Sequence, residues 1–153
     1  MPKLMQTPLT NVFIEKYLSQ YDCTYFKGVF SANTLPFDIK PPFDLIVNLS
    51  NFNDLGSHFV TICADTLNIS YIDSFGLPCF IDSISIFMQN FNLPILYNTK
   101  IIQNIHSKAC GYYCILFVLY HNNLITKPIK WNKNTKLNDN LCLKFLKDEI
   151  KRN

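Results

Sequence analysis

The chain has no apolar run long enough to cross a bilayer. The stretch Cys114 to Tyr120 ends at His121 after seven residues, where a spanning helix needs about 20. A basic-then-apolar pattern is also missing after Met1, so no secretory signal is expected. Six cysteines could suggest a disulfide scaffold, but without such a signal they read as reduced thiols. Cys23, Cys63, Cys79 and Cys142 are expected to pack as small apolar side chains. Strong charge of one sign is absent: 14 Lys and Arg face 11 Asp and Glu, a net charge of +3. Only the lysines between Lys127 and Arg152 leave room for weak nucleic-acid binding, and they equally fit a solvated helix face. No repeat, low-complexity tract or clear linker divides the sequence. Residues 1–153 are therefore expected to fold as a single domain, with no membrane segment and as a monomer, around a core supplied by 48% hydrophobic residues.

What the chain does have is concentrated in Gln103-Asn-Ile-His-Ser-Lys-Ala-Cys110-Gly111-Tyr-Tyr-Cys-Ile-Leu116. Cys110 stands where a polar run turns into an apolar stretch that continues to His121, long enough for about three helical turns. A helix N-terminus favours negative charge, and an imidazolium beside a thiol favours its thiolate further. Gly111 would let the backbone approach a substrate carbonyl, so that the N–H groups around Cys110 and Gly111 could bind an oxyanion. Upstream, His58-Phe-Val-Thr-Ile-Cys-Ala64 and Ile69-Ser-Tyr-Ile-Asp73 read as strands joined by the polar turn Asp65-Thr-Leu-Asn68. A hairpin of that spacing sets His58 beside Asp73, a base and the acid that would orient it. Gln103 adds an amide. The ordered set is that of a thiol acyl-transfer site.

Other arrangements of the same residue types compete. His106, Cys110 and Cys114 fall at i, i+4 and i+8, which on a continuous helix could ligate zinc. Gly111, the polar run before Cys110 and the missing fourth ligand argue against this, and no metal is expected. Asp65 reads as a turn residue, Asp82 as a first-turn helix acid, and His121 as a residue suited to the negative end of its helix.

The order His, acid, Gln, Cys resembles that of the adenain-type viral cysteine proteases and the related ubiquitin-like-protein proteases. Asp22 to Gly28, Ile46-Val47-Asn48 followed by Gly56-Ser57-His58, Tyr71 to Gly76, and Gln103 to Cys114 are similar to that family's blocks, most closely to adenain. The resemblance implies His58 as base, Asp73 as third member of the triad, Gln103 as oxyanion donor and Cys110 as nucleophile. It also implies cleavage after glycine of viral structural precursor proteins, in the virion and the nucleus or cytoplasm of a host cell. Processing of ubiquitin-like proteins is the alternative. Phe59 stands where the family carries tryptophan, and is expected to wall the substrate channel. Asp73 replaces the glutamate of adenoviral members. Activation by a viral peptide or by DNA stays open, but Asn92 replaces the cysteine that a disulfide-linked activator would need.

The fold expected is α+β, a mixed sheet packed against a central helix that carries the nucleophile. Helices are predicted from Thr10 to Tyr21, around Ile81 to Phe91, from Cys110 to His121, and after a cap at Asn138 or Asp139. Tyr25 to Phe30 and Phe43 to Leu49 are further strands, and Ile95 to Ile102 a strand that delivers Gln103.

Overall fold

The computed structural model describes residues 9–50 and 58–151. The Gly56-Ser57 pair before the candidate base, and Arg152, lie outside the described residues. Helix α1 (Asn11–Leu18) is followed by strands β1 (Phe26–Ser31), β2 (Phe43–Asn48), β3 (Phe59–Ala64) and β4 (Ile69–Ile72). Helix α2 (Asp82–Gln89), strand β5 (Ile95–Tyr97) and helices α3 (Cys110–His121) and α4 (Thr135–Asp148) complete the order. The five strands form one mixed sheet in chain order, β1-β2-β3-β4-β5. The outer pairs β1–β2 and β4–β5 are parallel, the inner pairs antiparallel. Among the described residues no helix is long and apolar enough to cross a membrane.

Two-residue alternation sorts the central strands onto two cores. Leu45 and Val47 of β2, with Val60 and Ile62 of β3, pack on Ile84, Phe87 and Met88 of α2. Ile46 and Phe59 turn the other way, onto α1, α3 and α4. The α2 trio stands at i, i+3 and i+4, and each side chain is fully buried, which stabilises the fold by about 1.5–3 kcal/mol apiece. Helix α3 is buried almost all round, from Cys110 through Leu116 and at Val118 and Leu119. A helix that is apolar on every face belongs inside, and this one lies between the sheet and the two terminal helices.

Several elements depart from the sequence expectation, each for a traceable reason. Strand β5 ends at Tyr97, not Ile102, so a loop delivers Gln103. The strand stops because Asn98 turns its side chain onto the backbone of Asp73, accepting from its N–H at 2.8 Å and donating to its carbonyl at 2.6 Å. Helix α4 is capped by Asn134, whose side chain accepts from Lys136 N. Asn138 is instead buried inside the helix and donates to Ile102 O and Asn132 O, both at 2.9 Å. Helix α1 is capped by the Thr10 side chain, which accepts from Phe13 N, and ends at Leu18 rather than Tyr21; Phe13 stacks on Tyr17, whose ring lies tilted against Tyr21. Asp65 closes the β3–β4 turn as expected, accepting from Leu67 N and Asn68 N.

After β4 the chain turns tightly, with Gly76 N donating to Asp73 O at 2.8 Å. Gly76 has φ +68°, and a Cβ there would stand 2.8–2.9 Å from the Thr99–Lys100 backbone. Both the left-handed conformation and the crossing chain therefore require glycine. Gly76→Ala is expected to destabilise the fold by about 1–3 kcal/mol, measured by denaturant unfolding. A variant as stable as wild type would mean that the crossing at Thr99–Lys100 is not held this closely.

Candidate active site

Three separate segments bring the candidate catalytic side chains together. His58 immediately precedes β3 and Asp73 immediately follows β4, so the antiparallel pairing of these strands sets the two residues side by side. His58 Nε2 lies 2.7 Å from Asp73 Oδ1. Cys110 comes from the other layer, as the first residue of α3, near enough to the same imidazole to help raise its pKa. With Nε2 on the acid, Nδ1 is the ring nitrogen left for the thiol. Phe75 stacks on the imidazole, with centroids 4.8 Å apart and planes 20° apart, which restricts ring rotation.

The electrostatics follow from these contacts. Burial is the largest single influence on His58 and by itself would lower its pKa. Hydrogen bonds to Asp73 and Cys110, together with the charges of both, outweigh burial and push it up to about 9. The imidazolium is therefore the stable form at neutral pH, the partner that a thiolate needs. Asp73 is 2% exposed. Its Oδ1 accepts from Phe75 N as well, at 2.8 Å, so the buried carboxylate has a backbone donor besides the histidine.

Gln103 is fully buried. Its Oε1 accepts from Ser74 Oγ at 2.5 Å, and its Nε2 donates to Ser107 O at 3.1 Å and to Ser107 Oγ at 3.2 Å. Ser74 O accepts from both Ile102 N and Gln103 N. From the opposite side α4 holds the same loop: Asn138 binds Ile102 O, and Asp139 accepts from Asn104 N. The glutamine is thus clamped between the residue after the acid and the last helix.

Some expected roles change. The Cβ position of Gly111 meets Leu9 at 3.1 Å and Ile14 at 3.4 Å, so its small size also makes room for the packing of Leu9 and α1. Phe59 is 5% exposed and packs in the apolar cluster that includes Cys110; the ring against the imidazole is Phe75. His106 is exposed in the loop before α3, so the helical face it would share with Cys110 and Cys114 does not form. Cys114 is buried, and burial pushes its thiol pKa well above the ordinary value. Cys110 itself is 6% exposed, so access to it is narrow. Sequence reasoning missed Asn98, Ser74, Ser107, Asn138 and Asp139; a polar residue in an Asn-rich loop carries no mark of a distant partner.

No protein-family model matches the chain, and no curated protein matches it. Five chains of solved structure match the fold. One is the selenomethionine crystal structure of the ASFV pS273R protease, at a TM-score of 0.47 and 18% identity. The match covers 72% of this chain and 44% of that one, so this chain spans less than half the length of that protein.

The raised pKa of His58 has a defined sign. Its stabilising contribution is complete below the unfolded value of about 6.5 and is lost as pH rises through about 9. NMR titration of the imidazole is expected to give a midpoint near 9, lowered in Cys110→Ala because that variant loses a hydrogen bond and a charge that raise it. An unchanged midpoint in Cys110→Ala would mean that thiol and ring are not coupled.

Proposed function

We propose that the chain is a cysteine endopeptidase of the adenain type, with Cys110 as nucleophile, His58 as base, Asp73 as the orienting acid and Gln103 as oxyanion donor. The observation that carries this reading is one imidazole 2.7 Å from a buried carboxylate, with its pKa raised by that carboxylate and by a thiol at the start of a helix. The thiolate attacks the scissile carbonyl carbon, forming the S–C bond. The imidazolium returns its proton to the leaving amine as the C–N bond breaks. Water, deprotonated by the now neutral His58, then hydrolyses the acyl-enzyme. Charge that develops on the carbonyl oxygen competes with the Ser107 hydroxyl for an amide hydrogen of Gln103, and the backbone N–H groups of Cys110 and Gly111 add to the stabilisation.

Substrate choice follows from access. A cysteine only 6% exposed, with Phe59 in the same buried cluster and Phe75 against the imidazole, favours a residue without a side chain before the cleaved bond. We assign glycine there, with structural precursor proteins of a virus as the substrates and particle maturation in the virion or the host nucleus or cytoplasm as the setting. Activation by a viral peptide or by DNA is compatible with this reading.

Incubation with a peptide library and with ubiquitin-like precursors, followed by sequencing of the new termini, tests it. Cleavage is expected after glycine, with most of it lost when that glycine becomes alanine. Cys110→Ala is expected to be inactive but folded, and Gln103→Ala to lower kcat about ten- to a thousandfold with little change in KM. Activity that survives Cys110→Ala would sink the assignment. Efficient cleavage after a bulky residue would refute the narrow access. Cleavage confined to ubiquitin-like precursors would move the substrate class.

A further inference from the structure

A second cluster of cysteine, histidine and aspartate lies at the other end of α3, outside the candidate active site. The β2–β3 register places Asp44 opposite Cys63, and both point toward α3 by the two-residue alternation that sends Leu45 and Ile62 to the α2 side. His121, the last residue of α3, turns its Nδ1 onto Asp44 Oδ1. The sequence expectation had His121 serving the helix end and Cys63 filling apolar space; the structure instead joins them through a carboxylate. One ligand atom from each of Asp44, Cys63 and His121 lies within 4.8 Å of the others.

We propose that Asp44, Cys63 and His121 bind a single divalent ion of the zinc class. Carboxylate, thiolate and imidazole are the ligand types that zinc takes. Metal–ligand bonds of about 2.0–2.3 Å place tetrahedral donors about 3.4 Å apart, so the cluster needs shifts of about 1 Å. The Asp44 carboxylate is fully buried, and its other oxygen accepts from Asn122 Nδ2 at 2.7 Å. Asn122 in turn accepts from Tyr25 N at 3.0 Å. A hydrogen-bonded carboxylate of this kind is the outer support that metal ligands require. A cavity of about 440 Å³ opens beside the cluster, lined by Cys63 and His121 themselves and by Phe117 and Trp131. It has room for a water as fourth ligand.

The exchange balances. Three bonds form, from the ion to Cys63 Sγ, His121 Nδ1 and an Asp44 oxygen. Starting from a His121 imidazolium paired with Asp44, the S–H bond of Cys63 and the Nδ1–H bond of His121 break, both protons pass to water, and the Nε2–H stays, leaving a neutral imidazole on the ion. A dication replaces two protons, so the buried charge is unchanged, which removes the main objection to placing an ion here. A second nucleophile is the poorer reading, because Cys63 is 7% exposed and burial holds its thiol protonated. A bound ion would fasten the end of α3 to β2 and β3.

The test uses the full chain carrying Cys110→Ala, so that the active-site thiol cannot contribute. Titration with cobalt(II) is expected to saturate at one equivalent, with tetrahedral visible bands and a thiolate-to-cobalt charge-transfer band, all displaced by zinc. Adding Cys63→Ser removes the charge-transfer band, adding His121→Gln loses the site, and adding Asn122→Ala weakens binding about ten- to a hundredfold. Zinc is expected to raise the melting temperature of the parent and not that of Cys63→Ser, whose metal-free melt reports its folding. His121 is a quarter exposed at a helix end, so His121→Gln decides the matter if Cys63→Ser does not fold. Absence of the charge-transfer band in the parent, or a band that survives in both variants, overturns the site.

Discussion

The candidate site depends on burying the Asp73 carboxylate where only fixed donors reach it. An unpaired charge in such a place costs several kcal/mol, so the chain around it is arranged to supply partners. His58 and Phe75 N meet the same carboxylate oxygen, and Asn98 fixes the peptide on both sides of the residue. The next residue, Ser74, binds Gln103 through its hydroxyl and through its carbonyl. One strand end therefore sets the ring that would accept the proton and the amide that would meet the oxyanion. A shift at Asp73 would move both, which is the sense in which positioning within a fraction of an ångström is a property of the fold.

Cys110 is held differently. Cys110 has no side-chain cap before it, since Ala109 occupies the cap position, and α3 is fixed by packing on all sides. Gly111 lets Leu9 and Ile14 close over the first turn. Tyr113 donates to Asp139 at 2.7 Å and so ties the same turn to α4. The thiol is located by shape and the imidazole by hydrogen bonds, and the two systems meet at one contact.

What could be read in the sequence was whatever repeats or has local rules. Runs bounded by turn residues marked β2, β3 and β4, the all-apolar run set α3 to the residue, and Asp65 closed its turn because an aspartate side chain bonds backbone two and three residues ahead. The pairing of His58 with Asp73 followed from that hairpin. Long-range single contacts were not legible. Asn98 resembles any loop asparagine until its partner 25 residues back is known. The start of α4 offers Asn132, Asn134, Asn138 and Asp139 within eight residues, all acceptable caps by type; tertiary hydrogen bonds to the Gln103 loop decide which one caps. The length of β5 was misread for the same reason, since a side chain replaces the strand's backbone bonds there.

The order of strands in the sheet equals their order in the chain, and this has a temporal meaning. Each strand pairs with the one made just before it, so the sheet can grow in step with synthesis without waiting for a distant segment. His58 and Asp73 are then already neighbours on a finished platform. Helix α3 follows every strand, and its thiol meets the imidazole only when the helix docks across the sheet. The nascent chain therefore carries the paired His58 and Asp73 without the thiol of Cys110 until α3 has docked.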